Sequence, residues 1–83
     1  MTSAPIATRV TALVGDITAQ NLDAQADGER SLRDIGVSSL RMIELIGTLE
    51  TAFDFRIGDD EIDEGNFGTL SALIGFVEGK ARR

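Results

Sequence analysis

Apolar residues recur at Ile6, Val10, Leu13, Val14 and Ile17, a spacing of i, i+4, i+7, i+8 and i+11 that puts all of them on one helix face. Ser3 is a candidate N-cap for this segment, and Pro5 fits its first turn, where a missing N–H loses no intrahelical bond. The periodicity then stops. Residues 18–38 carry the turn-forming Asn21, Asp23, Asp27, Gly28 and Gly36, with Leu22, Leu32 and Ile35 as apolar pins to a core. A connection this long in a small domain is unusual and often functional.

A second helix is predicted from Ser39 to Asp54, because Met42, Leu45, Ile46, Leu49 and Phe53 repeat at i, i+3, i+4, i+7 and i+11. Gly58 interrupts the chain, and the acidic run Asp59–Glu64 predicts a short third helix whose early acids suit the helix dipole. Gly65 and Gly68 bracket a turn in which Phe67 packs inward. Thr69 caps a last helix that buries Leu70, Leu73, Phe76 and Val77 and ends on Lys80, Arg82 and Arg83. No alternating β pattern, internal repeat or low-complexity tract interrupts this order. The expected fold is all-α. It is a small four-helix bundle of three longer helices and a short third one, with a long loop between the first two. Residues 1–83 form a single domain with an ordered core at about 4–80.

Composition narrows the function. A chain with 42% apolar and 27% charged residues is globular, not disordered. Its net charge of −6 argues against nucleic acid and for partners with basic surfaces. No apolar run approaches the roughly 18 residues of a membrane span, and the first twenty residues lack a signal-peptide pattern. A cytoplasmic protein without membrane contact is expected. Cysteine and histidine are both absent, which removes disulfides, thiolate metal sites and the side chains most used as nucleophile or general base near neutral pH. An enzyme is therefore not expected. A calcium loop beginning at Asp59 fails because its sixth position is Glu64 and its twelfth is Leu70, so no metal site is expected.

The chemistry concentrates in Asp34-Ile35-Gly36-Val37-Ser38-Ser39-Leu40-Arg41-Met42-Ile43-Glu44-Leu45, where a polar, glycine-containing loop gives way to the second helix. A helix N-terminus favours a phosphate through its unpaired N–H groups and its dipole. The plainer reading is that Ser38 or Ser39 simply caps the helix. The segment resembles the attachment site of acyl carrier proteins, Leu-Gly-x-Asp-Ser-Leu followed by Glu-Leu. Leu49-Glu50-x-x-Phe53, Gly58-Asp59-Asp60-Glu61 and Phe67-Gly68-Thr69-Leu70 extend the resemblance from Ile6 to about Lys80. It implies a 4′-phosphopantetheine arm attached covalently to Ser39, installed from coenzyme A by a separate phosphopantetheinyl transferase. Cargo would ride on the arm's thiol as a thioester. Ser39 is then a substrate and not a catalyst, in keeping with a chain that has no histidine or cysteine to activate it.

Leu40, Ile43, Glu44, Gly47, Thr51 and Asp54 fall off the core stripe of the second helix. Leu40 and Ile43 among them, flanked by acids, are either scattered surface apolars, or apolars under the long loop, or the apolar centre of a docking face with a charged rim. The resemblance implies partner contacts at Leu40, Arg41, Ile43, Glu44, Gly47 and Glu50, with Ile57 and Asp59 after the helix. Residues 44–64 hold eight acids against one base, Arg56, which would steer basic partners toward this region. The implied partners are the transferase, an acyl-loading enzyme and a synthase or transferase, all acting on a monomeric carrier.

Three positions depart from the family pattern. Ser38 stands where aspartate is usual, Arg41 where carriers of fatty-acid synthesis are commonly acidic, and Gly47 where a larger apolar residue is more frequent. The glycine costs about 1 kcal/mol relative to alanine in a helix interior. These departures favour a discrete carrier of a specialised pathway, making a polyketide, a lipopeptide or a related product, over a fatty-acid role. The site does not read Gly-Gly-x-Ser-Leu, which favours acyl over aminoacyl or peptidyl cargo. A carrier of the latter kind is the alternative, and an unmodified acidic helical interaction module is the rival from another class.

Overall fold

The computed structural model describes residues 5–81. Its elements are α1 (Ile6–Thr18), α2 (Leu32–Ile35), α3 (Ser39–Phe53), a 3-10 turn (Asp59–Glu61), α4 (Glu64–Phe67) and α5 (Leu70–Ala81). Pro5 occupies the N-cap of α1, one position before the first turn, and Ser3 lies outside the described residues. The three long helices form the bundle, with α1 packed against both α3 and α5, and α4 packed on α5. Val10 and Val14 of α1, Leu45 and Leu49 of α3, and Leu70, Leu73 and Val77 of α5 meet in the core. The expected apolar stripes therefore face one another. Ile74 is buried beside them, and Phe76 is half-buried.

The long connection between α1 and α3 contains a helical turn that periodicity could not reveal. Leu32 and Ile35 are the buried pair of this turn, as expected of pins, and Val37 joins them in the core. Ser31 Oγ accepts the Asp34 N–H at 3.0 Å and opens α2, while Gly36, at φ 113°, closes it in a backbone region that favours glycine. One residue earlier, an isolated bridge joins Ser31 to Thr69: Leu32 N–H donates to the Gly68 carbonyl and Leu70 N–H to that of Arg30, each at 3.2 Å. Gly68 is the C-cap of α4, its N–H on the Glu64 carbonyl at 2.9 Å, and a Cβ there would fall 2.4 Å from that same oxygen. Farther upstream, Asp27 accepts the Asp23 N–H at 2.8 Å and pairs with Arg30 at 3.1 Å, and these bonds hold its carboxyl below the usual range.

The acidic run does not form the expected single short helix over Asp59–Glu64. It breaks at Ile62 into the 3-10 turn and α4. Asp63 leaves the helix to become the cap of α4, its Oδ1 accepting the Asn66 N–H at 2.9 Å. The displaced turn places Phe67 in the core, where a burial drive outweighs the continuity of four more residues of weak helix. Gly65 thus lies inside α4 and not in a turn. Glu61 folds back onto the Gly58 N–H at 2.8 Å and also meets Lys80 Nζ at 2.9 Å. Lys80, over the Phe55 and Phe76 rings, therefore ties the end of α5 to the acidic segment. Thr69 Oγ1 accepts the Ala72 N–H at 3.0 Å, the expected cap of α5, and Arg82 and Arg83 lie outside the described residues.

Candidate functional site

The two adjacent serines have different jobs. Ser38 is the N-cap of α3: its Oγ accepts the Arg41 N–H at 3.3 Å, and its carbonyl accepts that of Met42 at 2.8 Å. Ser39 is the first helical residue, is exposed, and its hydroxyl makes no hydrogen bond to the described residues. Its first-turn N–H environment and the positive end of a 15-residue helix favour an anion at this point. A bulky substituent on the Ser39 oxygen meets solvent and not packed chain.

Ser39 stands on a braced corner. Val37, buried immediately before the cap, anchors the incoming loop. The Gln20 amide donates to the Ile35 carbonyl at the end of α2, and the Arg41 guanidinium donates to the Ile17 carbonyl at the end of α1. Three chain segments thus converge on the start of α3. Beside them a groove of about 610 Å³ opens, with Ser39, Met42, Val37 and Phe67 along it and Arg33 and Glu64 as its charged members. Arg33 was not singled out by sequence, and Glu64 was read only as one of the acidic run. They lie far apart along the chain, and no local periodicity signals that both line one groove.

The expected partner face separates into exposed and structural members. Leu40 is 78% and Ile43 70% exposed, and Glu44, Gly47 and Asp59 are exposed as well. Large apolar side chains that open on one helix face are unusual for a residue class that otherwise seeks the core. Ile57 leaves this set: at 9% exposure it is a core residue, because the chain after α3 turns back and presses it against the bundle. Glu50 is half-buried and accepts the Ile57 N–H at 2.8 Å, so its carboxylate secures that return. Arg41 is exposed, but its guanidinium is turned to α1 and away from Leu40 and Ile43. A cation near the last carbonyls of α1 is favoured by the dipole. Arg41→Asp puts an acid there and removes the bond. We expect a loss of about 1 kcal/mol in urea unfolding, with Arg41→Lys retaining most of the stability.

The model of the family described as a phosphopantetheine attachment site matches residues 8–77. The chain belongs to this family of carrier proteins. It is 34% identical to aminoacyl carrier protein 2 of Bradyrhizobium diazoefficiens over 73 residues, covering 87% of this chain and 82% of that one. With aminoacyl carrier protein 1 of the same organism it shares 36% identity, covering 83% of this chain and 78% of the relative. Among solved structures, it superposes on a holo acyl carrier protein from Nitrosomonas europaea with a TM-score of 0.76 and 28% identity, covering 98% of this chain and all of that one. It is also similar to a chain in the crystal structure of the Bradyrhizobium japonicum glycine:carrier protein ligase complexed with glycylated carrier protein. The TM-score there is 0.73 at 27% identity, covering 86% of this chain and 96% of that chain.

The all-α bundle and the phosphopantetheine prosthetic group follow from that membership, and the exposed corner of the carrier fits the group. An exposed hydroxyl without a partner among the described residues, at a helix N-terminus that favours a phosphate, fits a phosphate ester there, and the neighbouring groove leaves room for a flexible arm. Among the described residues, no helix of the carrier is long and apolar enough to cross a membrane.

Proposed function

We propose that Ser39 bears the phosphopantetheine arm and that the arm carries aminoacyl groups to partner enzymes. The observation that carries the first half is the division of labour between the serines: Ser38 Oγ is committed to the cap, and Ser39 Oγ is exposed and without a partner among the described residues. In the attachment step the Ser39 oxygen attacks the pantetheine-side phosphorus of coenzyme A. A new P–O bond forms, the pyrophosphate P–O bond breaks, and 3′,5′-adenosine diphosphate leaves with the electron pair. The hydroxyl proton passes to a base on the transferase, because the carrier has no histidine or cysteine near neutrality. When bound, the arm supplies a thiol that holds cargo as a thioester. The braced α3 corner fixes the tether's origin, and the tether raises the effective concentration of cargo at each partner site to the order of millimolar.

The aminoacyl assignment is supported by the two Bradyrhizobium relatives, both named aminoacyl carrier proteins. It moves the proposal away from the acyl cargo that the attachment motif favours by itself. An acyl cargo is the second reading, supported by likeness to the holo acyl carrier of Nitrosomonas europaea. Loading decides between them. The protein is incubated with coenzyme A, Mg²⁺ and a broad-specificity transferase, then offered glycine with ATP and a glycine:carrier protein ligase, or a fatty acid with ATP and an acyl-carrier ligase. We expect glycyl and not fatty-acyl mass on the arm. Because the chain has no cysteine, the unmodified protein should give no thiol signal and the modified form one per chain. A modified protein that takes fatty acid and refuses glycine overturns the cargo assignment. A protein that never gains the arm is the unmodified interaction module.

A further inference from the structure

The groove beside Ser39 combines an apolar lining with two opposite charges that the fold leaves unused. Val37, Met42 and Phe67 supply the lining, around a volume of about 610 Å³ that falls within the roughly 300–1,000 Å³ of small-ligand sites. Glu64 is its one carboxylate and Arg33 its one cation among the described residues. Both are exposed, and neither side chain has a hydrogen bond or ion pair to a described residue.

The Glu64 carboxylate is turned along the groove. Its Oε2 lies 2.9 Å from the point where a Cβ on Gly68 would stand, and Gly68 lines the groove as well. With φ at −72°, Gly68 does not serve a left-handed backbone. Its missing side chain instead leaves the carboxylate room beside the groove wall. Ser39 lines the same groove, so the arm starts at its edge. A flexible tether holds its own end near this wall at an effective concentration of the order of millimolar. What the end presents then decides whether it is retained. A fatty chain brings hydrocarbon against an unpaired carboxylate, which strips water from the charge and replaces it with nothing. An aminoacyl thioester presents an α-ammonium, which donates charge-assisted hydrogen bonds to a carboxylate. Arg33 complements the arm's other charged end, the phosphodiester.

We propose that Glu64 receives the α-ammonium of an aminoacyl group when the arm folds into the groove, so that the carrier itself distinguishes aminoacyl from acyl cargo. The inference rests on the Ser39 and aminoacyl readings above. The test compares glycyl and propionyl arms, which differ only by an ammonium in place of a methyl group. The broad-specificity transferase places each on isotope-labelled protein directly from glycyl-coenzyme A or propionyl-coenzyme A with Mg²⁺, so no cargo-selecting ligase takes part. Backbone amide shifts are recorded at about pH 6, below the α-amino range of roughly 7.7–8.0. The two spectra should differ at residues 64–68, and the difference should vanish in Glu64→Gln. Asp60→Asn is the control, an exposed acid outside the groove, and should keep the difference. In the native chain the difference should collapse near 1 M salt, where the screening length falls to about 3 Å. Glu64→Gln should melt with the native chain, because the backbone carbonyl and not the side chain accepts the Gly68 N–H at 2.9 Å. Glycyl and propionyl spectra that superpose, or a difference that survives in Glu64→Gln, overturn the ammonium site and leave the ligase-tested cargo reading standing. A native chain that gains no mass from either ester overturns the Ser39 assignment and this inference with it.

Discussion

Ser39→Ala should take up no phosphopantetheine, while Ser38→Ala should take it up and unfold more easily. The contrast follows from two hydroxyls one residue apart. The Ser38 oxygen accepts the Arg41 N–H at 3.3 Å and thereby starts α3, whereas the Ser39 oxygen bonds to nothing in the described chain. Removing the cap costs about 1 kcal/mol, which lowers the melting temperature of a domain this size by roughly 4–8 °C. Removing the Ser39 hydroxyl should leave the fold alone and delete the atom proposed to attack. Intact mass after incubation with transferase and coenzyme A reads the first effect, and thermal unfolding reads the second. Attachment that survives in Ser39→Ala and disappears in Ser38→Ala would reverse the assignment.

Leu45→Ala and Leu40→Ala, on the same helix, should differ by most of the stability that one side chain can contribute. Leu45 is 0% exposed and packs among the α1 and α5 side chains of the core. Truncating it costs about 2–5 kcal/mol, the lost transfer energy plus an unfilled cavity. A chain of this length has a total stability of only about 4–12 kcal/mol, so the variant approaches unfolding. Leu40, five residues earlier, already stands in solvent, and its truncation should change stability by less than about 0.5 kcal/mol. Its effect appears in docking, as faster dissociation from the transferase, because an apolar anchor acts mainly on complex lifetime. Urea unfolding of both variants and stopped-flow dissociation of Leu40→Ala check the pair. Equal stability losses would mean that Leu40 packs against the chain and is not a free docking residue.

The bundle was legible because its three long helices carry their own apolar periods. Val10 and Val14, Leu45 and Leu49, and Leu73 and Val77 recur at helical spacing, and the core assembles from those residues. Leu40 and Ile43 were legible for the complementary reason: they break the stripe. The short elements were less visible. A four-residue helix such as α2 is shorter than two apolar repeats, and its existence depends on Ser31, Gly36 and the bridge to Thr69, a contact across the chain. Asp63 looked like one more acid in a helical run and is a cap instead. Ile57 looked like a partner contact, and its burial depends on the return path that Glu50 secures. Arg41 reads locally as a surface charge on the partner helix, and nothing near it in sequence announces the Ile17 carbonyl. The α2 bridge and the Arg41 bond join segments distant in sequence, whereas Asp63 bonds only three residues ahead and its role turns on where the helix breaks.

The central claim is that one exposed serine at the start of α3 carries the arm. It is tested most directly by fragment-ion mass spectrometry of the native chain after incubation with coenzyme A, Mg²⁺ and a broad-specificity transferase. The account predicts a single added phosphopantetheine, with every site-defining fragment placing it on Ser39. An unmodified chain, or an arm located on Ser38 or any other residue, would contradict it.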